Sequence, residues 1–199
     1  MSSCLLLSGG MDSVALAYWK RPAFAFTLDY GQKPAEAEIR ASISICQFLG
    51  IQHEVLKVDC SHLGSGDLVE EKPVIMAPST EWWPYRNQLL VTLACMKAVS
   101  MGIKEMLVGS VKSDAFHKDG TGHFYELLNA LMKYQEGEMQ ISAPALHLYT
   151  HELILTSKVP SHLLFYAHSC HKSNTPCGHC RGCYKYIETV QKLKHAAWK

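Results

Sequence analysis

The sequence contains no apolar run approaching the ~20 residues of a membrane-spanning helix. It has no charge excess of either sign, with 19 Lys and Arg against 18 Asp and Glu. A wholesale electrostatic grip on nucleic acid or on an anionic membrane is therefore not expected, although a local basic patch is compatible with that balance. There is no internal repeat and no low-complexity tract, and 48% apolar with 19% charged residues excludes a disordered chain. The opening MSSCLLLSGGMDS lacks a basic segment ahead of its short apolar run, which ends in two glycines. It reads as a first buried strand and not as a signal peptide, so a cytoplasmic protein is expected. No G-x4-G-K-[ST] string occurs. Gly64-Ser65-Gly66 and Gly120-Thr121-Gly122 each lack the third glycine of a dinucleotide fingerprint.

What is present suits a single domain, or one with a small appendage. A chain of 199 residues buries roughly 70% of its unfolded surface and needs no disulfides to hold a core. The pattern alternates strand and helix. Strands are expected over 3–7, 23–28, 53–58 and 106–108. Helices are expected over 12–19, 34–49, 88–101, 125–136, 152–158 and 181–196. The 34–49 helix should bury Ile39, Ile43, Cys46 and Leu49 and stop at Gly50. The last helix places Tyr184, Ile187, Val190 and Leu193 at spacings of three. Residues 60–80 hold Gly64, Gly66, Pro73 and Pro78 and read as a mobile loop. The alternation predicts an α/β fold with a doubly wound parallel sheet, whose ligands bind beyond the carboxyl ends of the strands. We divide the chain into a catalytic part, residues 1–160, and a C-terminal segment, residues 161–199.

The first strand runs into Ser8-Gly9-Gly10-Met11-Asp12-Ser13, with a helix behind it. Adjacent glycines let successive backbone N–H groups converge into an anion-binding nest. The helix N-terminus adds partial positive charge. The hydroxyls of Ser8 and Ser13 can donate to phosphate oxygens, and Asp12 can cap the helix or help organise Mg2+. A polyphosphate or pyrophosphate is the ligand this chemistry suits.

Eight cysteines would suit a secreted scaffold, but Cys4, Cys46, Cys60 and Cys95 are scattered through apolar segments like reduced core thiols. Cys170, Cys177, Cys180 and Cys183 instead crowd into a C-x6-C-x2-C-x2-C string. Four thiolates suit a closed, tetrahedral structural zinc. An iron–sulfur cluster is the metal alternative and a disulfide pair the non-metal one. His171 and His179 can stand in for a cysteine, but four thiols make that unnecessary, and both are expected beside the ligands or on the surface. Lys172, Arg181, Lys185, Lys192 and Lys194 form a moderate basic patch, read as a solvated face.

The SGGMDS string resembles the PP-loop of the ATP pyrophosphatase superfamily, whose members cleave ATP between its α- and β-phosphates and attach AMP to a substrate oxygen. Three further strings follow it: Leu28-Asp29-Tyr30-Gly31-Gln32, then Pro84-Tyr85-Arg86-Asn87, then Ser169-Cys170 with Pro176-Cys177-Gly178-His179-Cys180-Arg181-Gly182-Cys183. In this order, from Cys4 to about Tyr186, they resemble the 7-cyano-7-deazaguanine synthase family of queuosine biosynthesis. The resemblance implies conversion of 7-carboxy-7-deazaguanine, ammonia and ATP to the 7-cyano base, a C–N ligase reaction followed by dehydration. It also implies a structural zinc and a homodimer. Carried over by position, Ser8, Gly9, Gly10, Met11, Asp12 and Ser13 hold the ATP phosphates. Tyr30 and Asn87 join the nucleotide site. Asp29, Gln32 and Arg86 join Asp12 and Ser13 in catalysis. Lys112, Asp114 and Asp119 contact the substrate.

The chain departs from the family pattern. Thr121 stands at an arginine position, Thr150 at a lysine position and Tyr85 at a glycine, and the stretch over 60–75 is short. These departures mark a divergent member, and the resemblance leaves open amidation or conjugation of a related deazapurine in another pathway, with its own protein partner. A tRNA-modifying PP-loop enzyme is a competing reading, but Cys46, Cys60 and Cys95 lie in apolar elements and offer no reactive thiol. A non-catalytic zinc-ribbon subunit is a third reading, opposed by the intact SGGMDS and DYGQ strings.

Overall fold

The computed structural model describes residues 2–195. Five strands form one fully parallel sheet: β1 (Ser3–Leu6), β2 (Phe24–Asp29), β3 (Gln52–Lys57), β4 (Glu105–Val108) and β5 (Gln140–Ser142), in the order β3-β2-β1-β4-β5. The chain builds outward from β1 to β3, then returns to the other side of β1 to add β4 and β5. That reversal opens a crevice beyond the carboxyl ends of β1 and β4.

Alternation along β1 sends neighbouring side chains to opposite faces. Leu5 and Leu7 join a core layer with α1 (Met11–Lys20), α2 (Ala35–Leu49), α5 (Thr150–Ser157), α6 (Ser161–Leu164) and Leu193 of α7 (Arg181–His195). Cys4 faces the other layer, with α3 (Arg86–Ser100) and α4 (Gly122–Tyr134). The doubly wound α/β architecture is therefore present. Leu163, Leu164 and Leu193 lie in the same core cluster as β1 and α1, while Cys170, Cys180 and Cys183 form a small cluster of their own.

Several local expectations are corrected. Strand β5 was not foreseen; three residues carry too little periodicity to register. The buried face of α2 is Ala37, Ala41, Ser42, Ile45 and Cys46, and Ile43 is exposed. Small residues win because this face packs on the loop after β1. On α7, Leu193 and Thr189 are buried, whereas Tyr184 and Ile187 are exposed. At about 100° per residue, nine residues place Tyr184 and Leu193 roughly half a turn apart, so a strict spacing of three cannot keep one face. The expected helix end at Ala196 lies outside the described residues.

Candidate active site

The loop after β1 is built by close approach. Gly9 has φ +71°, and a Cβ there would lie 2.7 Å from the Glu38 carbonyl oxygen and 2.9 Å from the Ala41 Cβ. Only glycine lets α2 pack this tightly on the loop. Gly109, at the end of β4, would likewise press a Cβ to within 3.0 Å of the Ser13 Cα. Thr27 Oγ1 donates to the Leu7 carbonyl at 2.7 Å and fixes the strand end from which the loop departs. Helix α1 then begins at Met11, capped by the Gly10 backbone and by no side chain. Its first amide hydrogens have no partner within the helix and are free to receive an anion. Ser13 Oγ donates to the Gly10 carbonyl at 3.0 Å and lies 3.2 Å from Ser8 Oγ.

Asp12 is not the helix cap. Its Oδ2 accepts from Lys185 Nζ at 2.8 Å, and the same ammonium donates to Asp114 Oδ1 at 3.0 Å. Burial opposes charge on Lys185, but Asp12 and Asp114 outweigh it and hold the ammonium charged well above the ordinary lysine range. Lys185, read from the sequence as part of a solvated face, therefore ties α7 to both the loop residue Asp12 and Asp114. Asp114 Oδ2 also accepts from the Val111 N–H at 3.1 Å, which orients it toward Lys185.

These groups line a cavity of about 530 Å³ at the crevice. Ser8, Gly10, Met11, Asp12, Ser13, Tyr30, Arg86, Asn87, Asp114 and Asp119 all contribute to its wall. Asn87 Nδ2 donates to the Asp119 carbonyl at 2.9 Å, joining the start of α3 to the segment after β4. The remaining expected residues lie apart. Gly9 is buried beneath the loop, its carbonyl accepting from the His168 N–H at 2.9 Å. Asp29 accepts from the Gly31 N–H at 3.4 Å and lies 3.9 Å from Lys57. Gln32 is buried, bridging the Tyr30 N–H at 2.8 Å and the Leu28 carbonyl at 3.0 Å. Lys112 Nζ sits 4.8 Å from the centre of the Tyr149 ring. Asp29, Gln32 and Lys112 are outside the cavity wall. At the two departures, Thr121 caps α4 by accepting from the Phe124 N–H, and Thr150 is buried.

Sequence reasoning missed a second ionic cluster in the wall. Glu81 Oε1 accepts from Arg181 Nη1 at 2.8 Å and lies 3.3 Å from His117 Nε2. Burial opposes the Glu81 charge, but His117, its own backbone N–H, Ser79 and Arg181 outweigh it and hold the carboxyl well below its usual range. Arg181 also stacks 4.3 Å from the Phe116 ring centre. His171, expected beside the cysteines or at the surface, lines the cavity, and burial holds its imidazole neutral, lowering it to about 4. The only sequence signal for Arg181 and Lys185 was their position beside the cysteine string.

The four cysteine sulfurs lie within 4.8 Å of one another. The Cys177–Cys183 and Cys170–Cys180 sulfur pairs are each 3.9 Å apart. A tetrahedral ion with metal–sulfur bonds of about 2.3 Å has sulfur–sulfur edges of about 3.8 Å, so the set fits a bound metal. Backbone N–H groups of His171 and Cys183 each donate to Cys180 Sγ at 3.4 Å, supporting a thiolate. None of the four cysteines lines the cavity. His179 is exposed and turned to the Cys177 carbonyl at 2.8 Å.

A parallel sheet, a glycine-rich loop at its switch point and a four-cysteine knuckle beside the crevice define a PP-loop protein. The solved structure of the U34-tRNA thiolase NcsA from Methanococcus maripaludis with its [4Fe-4S] cluster shares this fold, with a TM-score of 0.56 and 16% identity over 98% of this chain and 67% of that one. The profile of the family "Queuosine biosynthesis protein QueC" matches residues 2–194, and the chain belongs to that family. It is 29% identical to the 7-cyano-7-deazaguanine synthase of Methanosarcina barkeri over 228 aligned positions, covering 100% of this chain and 96% of the relative. It is 30% identical to that of Desulforudis audaxviator over 222 positions, covering 99% and 98%. Both alignments exceed the 199 residues here, so the relatives carry insertions that this chain lacks. Among the described residues no helix is long and apolar enough to cross a membrane.

Proposed function

We propose that this chain converts 7-carboxy-7-deazaguanine to 7-cyano-7-deazaguanine with ATP and ammonia. The observation that carries the reading is the loop Ser8–Ser13 at the switch point of a chain matched to the family from residue 2 to 194. A carboxylate resists ammonia because its oxygen is a poor leaving group. In the proposed reaction a substrate carboxylate oxygen attacks the α-phosphorus and pyrophosphate leaves. The amides of Met11, Asp12 and Ser13 and the α1 N-terminus receive the charge that develops on it. Ammonia then attacks the acyl adenylate and AMP departs, leaving the amide. A second adenylation, on the amide oxygen, lets AMP leave again as two protons are lost and the nitrile forms.

In this scheme Arg86 supplies positive charge to the polyphosphate, and Lys185 orients Asp12 and Asp114 beside it. Asn87 and Tyr30 face the nucleotide, and Asp119 the substrate. Asp12 and Asp114 are the residues that would hold Mg2+, which supplies charge neutralisation on the phosphates. Zinc is the metal proposed for Cys170, Cys177, Cys180 and Cys183. Their absence from the cavity wall supports a structural part for it. A homodimer and a cytoplasmic location complete the proposal. Exposed Met96 of α3 and Leu127, Leu131 and Tyr134 of α4 support a self-association face on that side of the sheet.

The test is turnover by mass spectrometry with purified protein, MgATP, ammonium and 7-carboxy-7-deazaguanine. Nitrile and AMP are expected. A product that stops at the amide or adenylate would assign the chain to a diverted pathway, and absence of AMP would overturn the proposal.

A further inference from the structure

Glu38 lies in the cavity wall and was not among the residues expected there. One of its carboxylate oxygens, Oε2, accepts from Gln32 Nε2 at 2.8 Å. Gln32 is itself fixed to the Tyr30 N–H and the Leu28 carbonyl, so the carboxylate is held from behind by a rigid bridge. The other oxygen has no hydrogen-bond partner among the described residues. Leu28, Leu68, Leu90 and Tyr30 line the same cavity, and Arg86 is the cation that faces Glu38 there. Burial makes a carboxylate with one unbonded oxygen costly, Arg86 offsets only part of that cost, and a ligand bringing N–H donors would remove more of it.

We propose that Glu38 accepts the paired N–H groups of a 2-amino-4-oxopyrimidine edge, and so selects a guanine-type base. The inference rests on the reaction proposed above and names its specificity residue. The ring N–H and the exocyclic amino group of that edge are adjacent donors, matching a carboxylate fork. Adenine presents one amino group beside a ring nitrogen acceptor, which a carboxylate repels. The 7-carboxyl lies on the opposite edge of the bicycle, so docking the pyrimidine edge on Glu38 turns the reacting group away from it into the cavity.

The charged and titratable groups facing Glu38 are Asp29 and Tyr30 at the end of β2 and Arg86 at the start of α3. Burial pushes the Glu38 carboxyl up to about 7, with Asp29 adding to the rise and Gln32 and Arg86 opposing it. The empty site is therefore protonated below about pH 7, and binding the donor edge must release that proton. Base affinity rises with pH up to about 7 and is flat above it.

The test is calorimetric titration of wild type and Glu38→Gln with 7-carboxy-7-deazaguanine, with its analogue lacking the 2-amino group, and with a non-hydrolysable ATP analogue, at pH 6 and pH 8. Wild type should bind the 2-amino base roughly 10- to 100-fold more tightly than the deamino analogue, bind it more tightly at pH 8 than at pH 6, and release a proton at pH 6. Glu38→Gln should lose the preference and the pH dependence while binding the ATP analogue as wild type does. Unchanged base affinity and preference in Glu38→Gln would overturn the inference alone. A loss confined to the ATP analogue would also overturn it, by assigning Glu38 to the nucleotide. A wild-type protein that binds the ATP analogue and neither base would instead remove the proposed reaction.

Discussion

Replacing Lys185 by methionine keeps the stem of the side chain and removes the ammonium from between Asp12 and Asp114. Both carboxylates touch that one nitrogen, at 2.8 and 3.0 Å, so their facing oxygens are at most about 6 Å apart. Two like charges at about 6 Å repel by roughly 3 kcal/mol at an effective dielectric of about 20. Breaking a buried pair by removing one partner costs about 3–5 kcal/mol. Lys185 and Asp114 retain about a third of their side-chain exposure, 32% and 35%, so solvent screening trims that figure. A loss of about 2–3 kcal/mol at pH 8 is expected.

The loss should shrink on acidification. Burial, with Asp114 adding, already raises the Asp12 carboxyl above its ordinary value, and removing Lys185 raises it further. A carboxyl raised in the folded state costs stability as pH climbs from the unfolded value through the folded one. The deficit of Lys185→Met is therefore largest at pH 8 and smaller near pH 5. Adding Asp114→Asn should recover at least half of it. Urea unfolding of wild type, each single variant and the double variant at both pH values measures the loss, its pH dependence and the rescue. A Lys185→Met protein as stable as wild type at pH 8, or one that Asp114→Asn does not rescue, would refute the half-buried ion triad.

The remaining expectations concern the loop glycine, the metal, the backbone at Tyr85 and the Glu38 carboxyl. Gly9→Ala forces a Cβ to 2.7 Å from the Glu38 carbonyl at φ +71° and should cost about 3 kcal/mol, read as a lower melting temperature with loss of ATP binding. Chelating the metal should expose the chain beyond residue 165 to protease and abolish adenylation, because α7 begins within the cysteine string and carries Arg181 and Lys185; activity surviving metal removal would separate knuckle from site. Tyr85 has φ +55° and is 78% exposed, so Tyr85→Gly should change stability by less than about 0.5 kcal/mol, whereas Tyr85→Val should cost about 1 kcal/mol or more in a chemical melt. Glu38→Gln should unfold at higher urea than wild type at pH 8 and at about equal urea at pH 4.5, since the raised Glu38 carboxyl costs stability only as pH rises toward about 7.

The legible parts of this molecule are those written in neighbouring residues. Strand β1, the Ser8–Ser13 turn and the cysteine string each depend on local spacing, and each is found where it was expected. The positive φ at Tyr85 gives a physical reason for the glycine that the family resemblance leads one to expect there. The illegible parts are pairings across the chain. Lys185 meets Asp12 over 173 residues, and Arg181 meets Glu81 over 100. No periodicity encodes such a meeting, and a lysine beside a cysteine string looks like any solvated lysine. Gln32 shows the converse. Its motif marked it correctly as special, but its place is under Glu38 and outside the cavity wall.

The His168 N–H to Gly9 carbonyl bond, and the Asn174 side chain that accepts from the Ala37 N–H at 3.0 Å, bear on how the molecule is made. The loop after β1 is translated well before its downstream partners, with Lys185 following Asp12 by 173 residues. A nascent chain halted before residue 168 displays the whole nucleotide motif and still lacks His168, Asn174 and Lys185. Completion of the site therefore waits on the segment from His168 to Lys185, and a product truncated ahead of it is expected to be inert without any change to its signature loop.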